Sequence, residues 1–179
     1  MVYIFLAEGF ETVEAMTPID MCRRAGIDIK TVSITSDLTV KSSHNIPIVT
    51  DINISEVDFE NADMLILPGG MPGTINLENC EILMEAVKKQ YAKGGKISAI
   101  CAAPRIFGSL GLLAEKRACV YPGMEDYLRG AHVEYNKVST DGNIITARGM
   151  GCAIEFGAAI ITALKSEEDA KKVLDAIVY

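Results

Sequence analysis

Residues 96–112, KISAICAAPRIFGSLGL, constrain this chain more than any other stretch. Residues 96–100 alternate and end apolar, as a buried strand does, and residues 102–112 carry apolar side chains at helical spacing. Cys101 stands at the junction with no loop on either side. A strand that passes directly into a helix makes a sharp elbow, which lifts one side chain above the carboxyl edge of a sheet and aims the first free helix amides at it. Those amides and the helix dipole favour an anion, so a thiol at this point is expected to be unusually acidic. Ala102 and Ala103 are small enough for the turn to close, and Pro104 falls in the first helical turn, where its missing N–H costs nothing. A free cysteine is otherwise most often a small buried hydrophobe. The junction is what favours reactivity at Cys101.

An elbow of this kind needs parallel strands beside it, and the rest of the chain supplies them. Residues 2–7 and 64–67 are short uninterrupted apolar runs, the pattern of strands buried on both faces, and residues 28–34 read as a further strand. Helices are expected over residues 12–25, with Pro18 bending or delaying the first, and over residues 80–91, with glycines just beyond each. Residues 38–40 and 46–49 read as extended pieces, Pro47 marking an edge, and residues 51–63 as an acidic link. Beyond the elbow, residues 118–121 read as a short strand and residues 123–128 as one or two helical turns. Asp141-Gly142 is a two-residue hairpin signal between strands 137–140 and 143–147. Residues 152–164 form an apolar helix, and Ser166-Glu-Glu-Asp169 resembles a capping box opening the last helix, to Val178. Strands alternating with helices imply right-handed βαβ units and an α/β fold, a doubly wound, mostly parallel sheet with helices on both faces. At 179 residues the chain suits one domain, residues 1–179.

Composition removes several classes of function. A net charge of −7 without a Lys/Arg stripe argues against nucleic acid as a partner. The longest apolar run, residues 156–164, is too short to span a bilayer, and the N-terminal residues have no basic region of the kind that precedes a signal sequence, so a soluble cytoplasmic protein with no membrane partner is expected. Five scattered cysteines, 22, 80, 101, 119 and 152, read as reduced thiols, with neither the spacing nor the histidines for a metal set. No G-x-G-x-x-G follows the first strand, and no cofactor is expected.

If residues 2–7, 64–67 and 96–100 are parallel neighbours, their carboxyl ends bring Glu8, Glu11 and Glu14, the Pro68-Gly69-Gly70 turn and Cys101 to one place. Gly69 and Gly70 can present backbone amides without a Cβ in the way, and with the amide of Ala102 they would form an oxyanion hole. One of the three glutamates need point inward; the others suit a solvated helix start.

AICAAP around Cys101, LPGG at residues 67–70, AEGFETVEAMTPIDMCRRAG at residues 7–26 and TARGMG at residues 146–151 together resemble the DJ-1 branch of the ThiJ/PfpI superfamily across nearly the whole chain. The resemblance implies a flavodoxin-like sandwich and a homodimer that uses the first helix around residues 20–24 and the 41–45 segment. It further implies that Cys101 is the elbow cysteine and Glu14 its carboxylic-acid neighbour. A carboxyl kept protonated beside a thiolate would donate a hydrogen bond to the sulfur and later to a sulfinate. The peptidase and amidase relatives carry a histidine directly after the nucleophile, where this chain has Ala102, so that activity is disfavoured. Where DJ-1-like members carry a pocket histidine this chain has Tyr121, which donates but scarcely accepts a proton near neutrality. His44, where relatives carry a basic residue, reads as a pocket or dimer-contact residue; Arg148 reads as an anion holder or an ordinary surface arginine; and His132 reads as a sheet or surface residue. Two functions follow as expectations. One is a redox-responsive, stress-protective protein whose Cys101 is oxidised to the sulfinate. The other is a cofactor-independent glyoxalase or deglycase acting on methylglyoxal or glycated thiols and amines, slow for want of a histidine.

Overall fold

The computed structural model covers residues 1–179. Its strands are β1 (Val2–Leu6), β2 (Ile29–Ser33), β3 (Thr39–Lys41), β4 (Pro47–Val49), β5 (Ile52–Asn53), β6 (Met64–Leu67), β7 (Lys96–Ile100), β8 (Arg117–Ala118), β9 (His132–Val133), β10 (Val138–Asp141) and β11 (Ile144–Ala147). Its helices are α1 (Thr12–Arg24), α2 (Gly73–Glu78), α3 (Glu81–Ala92), α4 (Pro104–Ser109), α5 (Ala153–Leu164) and α6 (Glu167–Ala176). Seven strands form the central sheet in the order β10-β11-β7-β6-β1-β2-β5, parallel except for the β10–β11 hairpin. With helices on both faces this is a flavodoxin-like α/β sandwich.

Alternation along the central strands shows why they are apolar throughout. Tyr3, Phe5, Leu65, Leu67, Ile97 and Ala99 point into one core, beneath α3 and α4. Val2, Ile4, Leu6, Met64, Ile66 and Ile100 point into the other, beneath α1, α5 and α6. Each face buries every second side chain, so apolar residues dominate and the polar ones that do occur, such as Ser98 and Thr146, are small. On the second face α5 lies against α1 so closely that a Cβ at Gly157 would stand 2.6 Å from Met21 Sδ. No helix is long and apolar enough to cross a membrane.

Several local expectations are corrected. The helix after the elbow is not 102–112 but the six residues of α4; residues 101–103 form a turn, and Gly111, with φ +72°, lies in the turns that follow. The strand expected over residues 118–121 is instead the two residues of β8, Arg117–Ala118, and overlaps it at Ala118 alone. These two residues pair with β9 outside the main sheet, because the chain then crosses above the sheet edge, where the Tyr121 amide donates to the Cys101 carbonyl at 2.8 Å. Pro18 neither delays nor interrupts α1, which starts six residues before it and continues six beyond it. The hairpin turn sits one residue late: Asp141 pairs with Ile144, so Gly142, at φ +61°, and Asn143 make the turn. The acidic link contains β5, which extends the sheet beside β2, and α2 had no periodic signal in its six residues. Residues 123–128 reduce to a 3-10 turn at Glu125–Tyr127. His132 is exposed beside Glu115, as a surface residue.

Gly108 gives a test of the packing around α4. Alanine is the better helix former by about 1 kcal/mol, yet a Cβ there would stand 2.0 Å from the Tyr127 carbonyl oxygen. Gly108→Ala should therefore lower stability by about 2 kcal/mol in urea unfolding; a gain would show that the Tyr127 segment gives way.

Candidate active site at the carboxyl edge of the sheet

The chain leaves β1 towards one edge of the sheet through β2 and β5, then returns to place β6 on the other side of β1. At such a reversal the loops after neighbouring strands part and leave a crevice. The loop after β1 leads into α1, the Pro68-Gly69-Gly70 turn follows β6, and Cys101 follows β7.

Cys101 has φ +64°, a left-handed conformation that costs a non-glycine residue about 1–2 kcal/mol. It is held there from both sides: its amide donates to Ala147 at 2.9 Å, one step beyond the β7–β11 ladder, and its carbonyl accepts from Tyr121. The amides of Ala102 and Gly70 face the sulfur. Glu14 is 1% exposed and hydrogen-bonded to Cys101. Its Oε2 accepts the Gly69 amide at 3.0 Å, and the Met150 amide also bonds it. A Cβ at Gly69 would lie 2.6 Å from both Cys101 Cβ and Glu14 Oε2, so only glycine fits between acid and thiol. Of the three expected donors, the amides of Gly70 and Ala102 face the sulfur, whereas the Gly69 amide is engaged by Glu14.

Glu14 sits three residues after Glu11, the N-cap of α1, whose side chain accepts the Glu14 amide at 2.7 Å. Glu8, Glu11 and Glu14 follow one another at the same three-residue spacing, so spacing alone does not set Glu14 apart; the turn at Gly9 and the start of α1 after Glu11 do. Glu8 points elsewhere, accepting the Lys41 amide at 3.1 Å. A helix start favours a charged carboxylate, but only by about 0.3–1 kcal/mol. Burial outweighs it and raises Glu14 to about 7, against the hydrogen bond from Cys101 and with the charge of Glu11 adding to the rise. Burial likewise pushes the Cys101 thiol up to about 12, helped by the neighbouring Glu14 carboxylate and opposed by the amides of Ala102 and Gly70.

The acidic thiol expected from the elbow is thus corrected. The true helix begins only at Pro104 and runs six residues, too short a dipole to offset desolvation. While Glu14 is charged, thiol ionisation would place two anions together. While Glu14 holds its proton, that repulsion is absent and the carboxyl can donate to the sulfur. The two groups therefore titrate as a pair that keeps one proton across a wide pH range.

The remaining candidates lie at varying distance from the pair. The Tyr121 ring packs 3.4 Å from the Cβ position of Gly149, whose neighbourhood includes Glu14 Oε1. Tyr121, Tyr135, Arg148, Met150 and Cys152 line a groove of about 430 Å³. Arg148 is occupied there, donating to the Tyr135 carbonyl at 3.3 Å with its guanidinium 5.8 Å from that ring's centre. His44 is exposed on the β3–β4 hairpin, bonded to Ser43 Oγ at 3.1 Å, and nothing ties it to Cys101 within this chain. The largest cavity, about 620 Å³ between α3 and residues 57–60, is not lined by the pair. Met150 and Ala147 were missed as site residues because they act through the backbone. All five cysteines are free; Cys22 and Cys119 are buried, and burial raises both thiols.

The DJ-1/PfpI family model matches residues 1–163. Among curated proteins the chain is 38% identical over 179 residues to protein DJ-1 homolog B of Arabidopsis thaliana, covering 99% of this chain and 41% of that protein. It is 33% identical to protein dj-1beta of Drosophila melanogaster, covering 95% of this chain and 92% of that one. Identity is 31% with the glutathione-independent glyoxalase DJR-1.2 of Caenorhabditis elegans, over 93% of this chain and 89% of that protein. The chain spans less than half the length of the Arabidopsis relatives, 41% and 45%. Among solved structures, oxidised DJ-1 of Toxoplasma gondii superposes with a TM-score of 0.95 at 32% identity, covering 99% of this chain and 97% of that one.

The raised Glu14 pKa ties stability to pH. Its neutral form is favoured by folding, so its contribution is fully present below the ordinary value of 4.5 and is lost as pH rises to about 7. Wild type should lose roughly 3 kcal/mol relative to Glu14→Gln over that interval. Parallel stability-against-pH curves for the two proteins would show that Glu14 is not held neutral.

Proposed function

The chain belongs to the DJ-1/PfpI family, and on that footing we propose that Cys101 and Glu14 form a redox-responsive pair in a stress-protective protein. The observation that carries this reading is one buried carboxyl hydrogen-bonded to one elbow thiol, with two backbone amides facing the sulfur. With one proton between them, the pair has an arrangement in which the thiolate faces a neutral carboxyl. Peroxide reacts with that arrangement: sulfur attacks one oxygen, the O–O bond breaks, and Glu14 passes its proton to the departing hydroxide. Sulfenic acid, water and the Glu14 carboxylate result. The carboxylate then takes the sulfenic proton, and a second peroxide gives sulfinate and water, with Glu14 again able to donate to a sulfinate oxygen. The Toxoplasma relative superposed above is an oxidised DJ-1, in keeping with such chemistry.

A second reading is favoured by Glu14's position near 7, where a carboxyl exchanges protons most effectively at neutral pH. The thiolate adds to the aldehyde carbon of methylglyoxal, Gly70 and Ala102 receive the developing oxyanion, and Glu14 shuttles the proton on the way to lactate. The C. elegans relative is a named glyoxalase. Without a histidine at position 121 the reaction should be slow. The same footing carries a homodimer, whose face we place at α1 and the β3–β4 hairpin, where Val13, Ile46 and Val49 are exposed.

The pair reading predicts an unusual pH profile. The doubly protonated pair is inert, so the rate of Cys101 oxidation by hydrogen peroxide should rise through about pH 7 and then stay level, because the second proton leaves only near 12. In Glu14→Gln the midpoint should move above the ordinary thiol value of roughly 8.5 and less sulfinate should accumulate. Peptide mass mapping after graded peroxide reads both; a wild-type midpoint near 8.5, or faster oxidation at Cys80, would defeat the pair. Methylglyoxal turnover should be measurable but low and should vanish in Cys101→Ala; turnover that survives excludes the aldehyde mechanism.

A further inference from the structure

Arg105 follows the elbow by four residues and takes no part in the chemistry above. It lies in the first turn of α4, and its Nη2 stands 3.0 Å from Oε2 of Glu78, the last residue of α2, as an ion pair; the two side chains are only 20% and 23% exposed. The guanidinium also lies over the Tyr127 ring, 4.5 Å from its centre. Its Nε is buried without a hydrogen-bond partner. As a device for stability this is poor, since desolvating two charges offsets much of their attraction and one donor is left unmet. As a device for direction it is good. A guanidinium paired at one nitrogen and stacked on one face restricts the relative placement of the elements it joins.

The elements joined are the two helices that follow the two amide donors. β6 passes through Gly69 and Gly70 into α2, and β7 passes through Cys101 and Ala102 into α4. The ladder between β6 and β7 ends at Leu67 opposite Ala99, three residues short of each donor. Above that point both turns hold left-handed residues, Gly70 at φ +95° and Cys101 at φ +64°. Each donor residue is coupled to its helix: Thr74 donates to the Gly70 carbonyl at 2.8 Å, and Arg105 donates its own backbone amide to the Ala102 carbonyl at 3.2 Å. Strand, turn and helix on one side thus meet strand, turn and helix on the other through Glu78 and Arg105, closing a ring around the sulfur.

We propose that the Glu78–Arg105 ion pair, backed by Tyr127, is a positioning clamp that sets the spacing of the Gly70 and Ala102 amides at Cys101. The proposal rests on the reading of Cys101 as the reacting thiol. Arg105 touches no reacting atom; it acts through the two turns. A small change in the gap between two converging donors removes one of them from the sulfur, and displacements of about 1 Å at such sites can cost 10²-fold in rate.

The test is the rate of Cys101 alkylation by iodoacetamide against pH, in which the thiolate displaces iodide and a carbon–sulfur bond forms. Arg105→Gln and Glu78→Gln should each lower the plateau rate about tenfold while the midpoint, set by Glu14, stays in place, because a lost amide donor depletes the thiolate form of the pair. Arg105→Lys, which keeps the charge but not the planar group stacked on Tyr127, should fall between wild type and Arg105→Gln. The double variant Glu78→Gln/Arg105→Gln should be no slower than either single one, since both remove the same contact. A merely structural role would shift the thermal midpoint and leave the plateau rate in place. Unchanged kinetics in Arg105→Gln, or losses that multiply in the double variant, would overturn the clamp alone. Wild-type Cys101 alkylated no faster than Cys80 would overturn the reading of the site and the clamp with it. Should Arg105→Gln fail to fold, Glu78→Gln and Arg105→Lys carry the comparison.

Discussion

The parallel pairing of β6 with β1 on one side and β7 on the other is the constraint on which everything above the sheet edge depends. Three strands in one register end together, so the three segments leaving them must share a small volume: Ile4 lies opposite Ile66, and Leu67 opposite Ala99. The consequence is steric before it is chemical. Gly69 has no room for a Cβ between the acid and the thiol, Gly70 none against the backbone of residues 9–11, and Gly73 none against Phe10. The site is therefore built from close backbone approach, which a sheet with a reversal in strand order supplies and a bundle of side chains would not.

That closeness also buries Glu14 fully and Cys101 in part, and burial decides their electrostatics. Glu14 stands at the third position of a helix, where the dipole favours its charge, yet burial moves it the other way by more than the dipole can restore. Cys101 experiences the same competition with the same winner. An isolated thiol in this place would be inert. What opens a route to the thiolate is the second buried acid, because one proton can sit on either partner and each partner is relieved of repulsion when the other holds it. The amides of Gly70 and Ala102 then bias the choice towards sulfur.

Much of this was legible in the residues. The apolar runs at 2–7 and 64–67 are central strands because both faces of the sheet are covered, and uninterrupted apolarity is what that situation demands. The elbow at Cys101 was legible from the absence of any loop residue between strand and helix. Short elements were not: α2 has fewer than two turns, β5 two residues, and β8 is extended only where β9 pairs with it, so no periodicity could announce them. Residues 102–112 looked helical throughout because apolar spacing reports burial, and residues 110–115 are a series of packed turns that bury Leu113.

Residue pattern alone sets the long strands and helices, the elbow at Cys101 and the glycines that let three loops converge, since each of these is a local property of chain stiffness, turn chemistry and apolar spacing. Only the tertiary structure decided that Glu14 faces Cys101, that Gly69 serves the acid while Gly70 and Ala102 serve the sulfur, and that the thiol is raised and not lowered. Desolvation and proton sharing depend on what surrounds a group in space, and those surroundings come from segments far apart in the chain, Glu14 in α1, Cys101 after β7 and Met150 after β11.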